Sequence, residues 1–342
     1  AGIIAHHQKL SALLAAGILL LPATQYPATT WWSKPDLDRE YVLSLDVEHY
    51  FGNIQKMRKH LETDRQILWV TYYRNLYNAT HPSEINSPVS LSRNLLAWNQ
   101  PGTNGLILPV NPSASFLSIL FANELWFTLG DMTMAEHCAM LSMIFSPRNS
   151  GSRMIKRLAE INLVNGDDEA ALKYLRILDK TLLHKSWAEK RIPGQQTPRV
   201  KEWLEKKRRD IPTQDQLRSG NDAVTSLRNL VASNAGNLRA YEYLLCYHLL
   251  SKDLRSFVED YVPGKVSSPI FAEALLIHLA RQGNIRAEEL IKYQIPVKIA
   301  KEFADYTRLY EAKDTSLKEK YGKTYWFYYH FATTEPGKES KP

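Results

Sequence analysis

The side chains best suited to acid–base or metal chemistry in this chain are histidines that stand next to carboxylates or to another histidine. They occur as Glu48-His49, Glu136-His137 and His6-His7. Adjacent side chains on a helix diverge by about 100°, so none of these pairs forms a metal site by itself. The sequence contains no HExxH or HxH spacing, which is how a helix or strand brings two ligands to one face. We predict no metal ion and no cofactor.

Other catalytic patterns are missing from the sequence as well. There is no GxSxG elbow, no phosphate-binding loop and no GxGxxG motif. The paired carboxylates Asp167-Asp168 stand where a helix is predicted to begin, and negative charge there is favoured by the helix dipole. We therefore predict a protein that is not an enzyme, with no catalytic residues.

The bulk composition is that of a folded helical protein. The 342 residues are 44% hydrophobic and 23% charged, with only 15 glycines and a net charge of +7. The densest basic run, Lys201–Asp210 (KEWLEKKRRD), is interrupted by three carboxylates, whereas nucleic-acid binding favours an unbroken basic face. We predict no nucleic-acid partner. The two cysteines, Cys138 and Cys246, lie in apolar helical segments and are predicted to be buried, unpaired thiols.

The N-terminal segment has three possible roles. Leu10–Leu21 (LSALLAAGILLL) is uncharged but shorter than the roughly 20 residues that cross a bilayer. A run of this length also suits a signal-peptide core or a buried helix. Trp31-Trp32 is typical of an interfacial aromatic belt, which favours a membrane anchor over residues 10–32. Because Lys9 precedes the run, the positive-inside rule places the rest of the chain on the periplasmic side.

Beyond this segment, apolar residues recur at helical spacing and are punctuated by Gly, Asn and Pro. The predicted helices are 38–64 (kinked near Gly52), 67–77, 91–98, one capped by Ser113 or Ser115 that ends at 129, 134–145, one capped by Ser150 or Ser152 that ends at 164, 169–183, 199–209, 223–233, 238–250, 254–261, 270–282, 286–293, 296–310 and an aromatic capping segment at 325–329. The polar, proline-rich stretch Lys190–Gly220 is predicted to be a boundary or a long exposed connection. The predicted organisation is 1–32 anchor and interface, 33–190 first helical-repeat region, 191–220 polar connection with one charged helix, 221–332 second helical-repeat region and 333–342 disordered tail.

Three predicted turns share one pattern. Leu125–Leu141, Ile161–Leu178 and Ile277–Ile291 each have an apolar helix end, then Gly with Asp or Asn, then a helix with an early Ala. The glycine ends the first helix in a left-handed conformation, and the alanines at 135, 171 and 287 would let the second helix approach closely. The pattern resembles the tetratricopeptide repeat. It predicts an all-α fold of irregular hairpins stacked as an α-solenoid behind one membrane-anchor helix.

A second resemblance is more specific. Met154–Ala188 (MIKRLAEINLVNGDDEAALKYLRILDKTLLHKSWA) looks like the hallmark segment of an uncharacterised bacterial family of multi-span membrane proteins. Asn94–Ala97 and Glu124–Gly130 are similar to their counterparts there. The resemblance implies an N-terminal membrane bundle followed by a helical-repeat domain. That family has no established activity, so the resemblance implies no catalytic residues.

These observations predict a membrane-anchored domain that binds a protein or peptide along a stack of helices. The alternative is a regulatory or substrate-binding domain of a multi-span membrane transferase or transporter. Asn162 stands mid-helix, where it would either bond a neighbouring hairpin or line the groove of the stack. The candidate groove residues are Asn162, Lys173, Tyr174 and Trp187.

Overall fold

The computed structural model describes residues 36–62, 70, 72–74, 76–77, 116–145, 151–213 and 223–331. Every regular element within these ranges is an α-helix, which confirms the predicted all-α class. The chain divides into two units, Ala1–Val70 and Thr71–Pro342. The predicted anchor at 10–32, the helix at 91–98 and the tail at 333–342 lie outside the described residues. Within the described ranges, no helix has the length and apolar character needed to cross a membrane.

The first unit contains a pair of helices, α1 (Leu37–Phe51) and α2 (Ile54–Leu61). The Asp36 carboxylate caps α1 by accepting a hydrogen bond from the Arg39 backbone N–H at 3.0 Å. Gly52, at φ +70°, ends α1 and produces the predicted kink. The two helices pack on each other, and their buried apolar residues are Val42, Leu45, Met57 and Leu61.

Within the second unit, the described residues from 116 to 189 form five helices that pack in chain order. They are α3 (Phe116–Leu129), α4 (Met132–Phe145), α5 (Ser152–Asn165), α6 (Asp168–Asp179) and α7 (Lys185–Glu189). Each of these helices packs on the next one in the chain. Ala135 of α4 and Ala171 of α6 are fully buried, as expected for small residues at a close helix–helix approach. Asp167 caps α6 through the Ala170 backbone N–H at 2.9 Å, which confirms a structural role for that carboxylate.

The segment predicted to be an exposed connection carries a packed helix, α8 (Pro198–Arg208). This helix packs on α5, and its Val200 and Leu204 side chains are buried. The predicted charged helix is therefore present, and its two buried apolar residues pack on a neighbour that the local sequence does not reveal. The division of the chain into domains at 190 and 220 stays a prediction.

Four further helices again pack in chain order: α9 (Ala223–Ser233), α10 (Leu238–Leu250), α11 (Leu254–Asp260) and α12 (Pro269–Arg281). The bounds of α9 and α10 are those that the sequence predicts. The described part of the second unit ends with α13 (Ala287–Lys292), α14 (Val297–Glu311), α15 (Leu317–Tyr321) and α16 (Tyr325–Phe331). Here the serial order changes, because α14 and α16 both pack on α12.

The aromatic helix α16 closes this end of the second unit, as predicted for residues 325–329. The Tyr325 hydroxyl donates to the Leu249 carbonyl oxygen at 2.9 Å. The Trp326 indole N–H donates to the Glu273 carbonyl oxygen, also at 2.9 Å. Both aromatic side chains are fully buried, so the polar tips of these large side chains are satisfied inside the protein.

The third predicted hairpin differs from the expectation. α13 buries none of its residues, and Ala287 is exposed rather than held against α12. With six residues that include Glu288, Glu289 and Lys292, α13 has no apolar face wide enough to cover its neighbour. α14 and α16 cover α12 instead.

One hydrogen-bonded turn ends many of the helices. At Gly52, Gly130, Gly166 and Gly283 the glycine has positive φ, and the next residue's N–H donates to the carbonyl four residues before the glycine. The bond from the Asp167 N–H to the Asn162 oxygen measures 2.9 Å. The same bond forms where Lys252, Gln294 and Lys313 take the left-handed position. A search for glycines therefore finds only some of these turns.

Candidate functional site

Two of the four predicted groove residues lie against one apolar cluster. Tyr174 of α6 and Trp187 of α7 are half-buried and pack on it. The cluster consists of Ala159, Leu175, Leu178 and Ala188, with Ile155 packed beside it. Three successive helices thus contribute to one surface, in which aromatic rings pack on a cluster of buried aliphatic residues.

Two cations lie over the Trp187 indole. The Lys156 ammonium is 5.2 Å from the ring centroid, and the Arg191 guanidinium carbon is 4.1 Å from it. Burial lowers the pKa of Lys156, although the nearby Glu160 carboxylate opposes the shift. Burial and the Lys156 charge also lower the pKa of His184. The surface around Trp187 is therefore cationic and aromatic, a combination that suits an acidic or aromatic side chain of a partner.

The other two predicted groove residues are not part of this surface. Lys173 is exposed and approaches Glu169 on the same helix at 3.8 Å. Asn162 is buried, and its side-chain amide donates to the Leu158 carbonyl oxygen of its own helix at 2.7 Å. Among the residues that the structure describes, the Asn162 side chain makes no bond to a neighbouring hairpin, because its amide reaches the carbonyl one turn earlier. The Asn162 amide is therefore satisfied within α5.

A second cluster of polar residues was not predicted. The Glu124 carboxylate, in the apolar helix α3, forms ion pairs with Arg153 and Arg157 of α5. Arg157 also pairs with Glu160 at 3.0 Å and donates to the Asn123 side-chain oxygen at 3.1 Å. The Glu124 and Arg157 side chains are only 7% and 11% exposed, so these charges depend on one another for solvation. The sequence signal for this cluster was Asn123-Glu124 within the apolar segment FLSILFANELWFTL, because a buried carboxylate requires a cation.

Phe127, one turn further along α3, is surrounded by cations and an indole from other helices. The Arg157 guanidinium lies 3.8 Å from the ring centroid, and the Lys207 ammonium of α8 lies 4.5 Å from it. Trp203 of α8 stacks on the same ring with centroids 6.3 Å apart. Phe127 is thus the point at which α3, α5 and α8 meet.

Lys207 carries the most perturbed amine of this region. Burial, together with the positive charges of Arg239 and Arg157, lowers its pKa from 10.5 to about 8. Its ammonium donates one long hydrogen bond, at 3.4 Å, to the Phe127 carbonyl oxygen. The ammonium therefore loses more hydration than its partners replace.

Side chains of α8 and of Asn237, the residue that caps α10, satisfy carbonyls at the ends of α3 and α5. Arg208 donates to the Leu163 and Val164 oxygens at the end of α5, at 2.7 and 3.0 Å. Asn237 donates from its one amide to the Leu129 oxygen of α3 and to the Asp210 oxygen, both at 2.7 Å. Helix ends leave such carbonyls without partners inside the helix. These contacts connect the helices that precede α8 with those that follow it. We call this region the Phe127 joint; it comprises Phe127, Arg157, Trp203, Lys207, Arg208 and Asn237.

The chemistry available at these positions is ion pairing and aromatic contact. In the parts of the chain that the structure describes, no three His, Cys, Asp or Glu side chains are grouped so that they could hold a metal ion. Cys138 and Cys246 are buried and unpaired, as predicted. Burial raises the pKa of the Cys138 thiol to about 12, which keeps it protonated and unreactive.

Comparison with known proteins gives one match, to a family. The model of a family of unknown function, DUF6057, matches residues 3–332. No curated protein and no solved structure matches the chain. The match confirms an uncharacterised family over nearly the whole length, including the segment Met154–Ala188 that carries the sequence resemblance. The chain belongs to DUF6057, a family of unknown function.

Proposed function

We propose that this chain is a membrane-anchored interaction domain, built as an irregular tetratricopeptide-like α-solenoid, that binds a protein or peptide partner without catalysing a reaction. The observation that carries the proposal is the packing of α3 to α7, and of α9 to α12, each helix on the next in the chain. Helices stacked in this way present a continuous surface made by several elements, which is how helical repeats bind extended partners.

The shared turn supports the repeat part of the proposal. The glycines at 130 and 166 end α3 and α5 with the same hydrogen bond, and a buried alanine follows each of them. Two consecutive hairpins thus have one local design. The match from residue 3 to residue 332 supports treating the proposed anchor at 10–32 and the helical region as parts of one family unit.

The proposed binding surface is the cationic and aromatic face around Tyr174 and Trp187. Both rings are partly accessible, and Lys156 and Arg191 lie over the indole. Rigid aromatic side chains and arginine contribute most to many protein interfaces. Lys173 is not part of this face, but it is exposed and precedes Tyr174 in the chain, so it can be replaced without disturbing the core or the face.

Site-specific photo-cross-linking in the full-length chain tests this proposal. A photoreactive amino acid at Lys173 is expected to capture a discrete protein, identified by mass spectrometry. Lys298, an exposed lysine of α14, is the matched control position and is expected not to capture that protein. The same adducts at both positions, or none at Lys173, would contradict the proposed surface.

A further inference from the structure

The turn between α6 and α7 holds two leucines out in solvent. The Leu182 side chain is 97% exposed and Leu183 is 77% exposed. Ile177, in the last turn of α6, is 48% exposed. Single exposed apolar residues are common at protein surfaces. Two adjacent exposed leucines at the tip of one turn are unusual, because their contact with water is unfavourable.

This turn is ordered by its own hydrogen bonds. The Thr181 hydroxyl donates to the Leu178 carbonyl oxygen at 2.7 Å and accepts from the His184 backbone N–H at 3.1 Å. The Lys185 N–H donates to the Thr181 carbonyl oxygen at 3.2 Å. The His184 side chain, next to the leucines, is buried. The backbone therefore fixes the leucines in an outward position.

Positive charge flanks the leucines. Residues 176–190 contain two exposed carboxylates, those of Asp179 and Glu189. The same stretch contains four exposed cations: Arg176, Lys180, Lys185 and Lys190. Exposed apolar side chains with an excess of cations on either side in the sequence match a bilayer that carries anionic lipid, with acyl chains for the leucines and headgroups for the lysines.

We propose that the Thr181–His184 turn contacts the surface of an anionic lipid bilayer, with Leu182 and Leu183 entering the headgroup region. A membrane accepts a protruding pair of side chains at any point on its surface, whereas a protein partner must provide a matching cavity. The contact is separate from the anchor proposed at residues 10–32 and does not depend on it. It would orient the helical domain relative to the membrane.

The two native cysteines are buried, so one added cysteine can be labelled selectively in the full-length chain. Leu183→Cys carries an environment-sensitive fluorophore, and Leu182 remains to make the contact. Ile291→Cys is the matched control, because Ile291 is also 77% exposed but lies beside Glu288 and Glu289. The probes are vesicles of phosphatidylcholine alone or mixed with phosphatidylglycerol.

The label at position 183 is expected to brighten and shift to shorter wavelength with the mixed vesicles, and to respond weakly to phosphatidylcholine alone. Added salt is expected to reduce the response. Lys180→Glu combined with Lys185→Glu is expected to lower it about fivefold or more, and Leu182→Ser is also expected to lower it. The label at position 291 is expected not to respond.

Three results would overturn the proposal. One is an unchanged emission at position 183 with every vesicle. Another is an equal response at position 291, which would indicate nonspecific adsorption. The third is a spectral shift that appears when the protein alone is concentrated, which would indicate that a second copy covers the turn. Because this readout is confined to positions 183 and 291, it is independent of the partner captured at Lys173.

Discussion

Residues with a left-handed backbone conformation at helix ends determine how closely another segment of the chain can approach. Gly130 and Gly166 have similar φ angles, +91° and +83°, and equivalent places in the sequence pattern. Their surroundings differ. A Cβ added at Gly166 meets nothing within 4 Å, whereas one at Gly130 would lie 2.3 Å from the Asp210 carbonyl oxygen. Gly130 is therefore required both by its backbone angle and by the close approach of the chain after α8.

This difference predicts two distinct losses of stability. Gly166→Ala is expected to cost about 1 kcal/mol, since only the left-handed strain is added. Gly130→Ala is expected to cost about 3 kcal/mol, since the backbone of Asp210 must also move. Urea unfolding of the two variants measures both values. Equal losses would show that Asp210 does not approach Gly130 as described.

The sequence could predict the glycine turns but not the turns at Lys252, Gln294 and Lys313. Glycine marks a left-handed residue because it lacks a Cβ. A lysine in that conformation is held there by the packing of the helices on either side, and its local sequence does not predict the conformation. The same limit applies to Asn162, whose type suggested a contact between hairpins although its partner lies one turn away on its own helix.

At the scale of elements, helix positions were easier to predict than helix neighbours. α10 begins after Asn237, whose side chain accepts a hydrogen bond from the Ala240 N–H at 2.9 Å, and such caps are visible in the sequence. The role of α8 was not visible. Its charged side chains donate hydrogen bonds to backbone carbonyl oxygens at the ends of α3 and α5, which are distant in sequence. Because every residue type has a backbone carbonyl, the sequence does not indicate which of them are bonded.

The buried amine of Lys207 makes the packing of α8 on α3 sensitive to pH. Its pKa of about 8 lies below the 10.5 of an ordinary lysine. Between these two pH values the unfolded chain binds a proton that the folded chain does not, so this group makes stability rise with pH. Below pH 8 both states are protonated, and the cost of holding the charge is fully present.

Lys207→Met is therefore expected to stabilise the protein at pH 7 by about 2 kcal/mol, after allowance for partial solvation of the amine. The gain should shrink as the pH rises from 8 to 10.5, because the wild-type amine loses its charge in that range. Thermal unfolding of the variant and the wild type across this range measures the difference. Lys207→Arg keeps the charge and is the control. A variant that is less stable than the wild type at pH 7 would contradict the assignment.

At the scale of the whole second unit, the central feature is the Phe127 joint. The sequence suggested two helical-repeat regions separated by a polar connection. That division stays a prediction. In the structure, Asn237 and Arg239 connect the helices on either side of α8, and Arg239 donates to the Thr128 oxygen and pairs with Asp210. A domain joined in this way would present its proposed binding face on a rigid support. Neither the order of the hairpins nor the composition of residues 198–210 reveals the joint.

Hydrogen exchange of the full-length chain, read by mass spectrometry, tests this claim most directly. The amides of α5 and α10 are expected to exchange through one shared opening with the same free energy. Asn237→Ala, which removes the bonds to Leu129 and Asp210, is expected to lower that free energy for both helices by about 2 kcal/mol. Glu259→Gln, at an exposed ion pair with Arg255, is expected to leave both unchanged. Protection of one helix while the other opens independently would contradict the account.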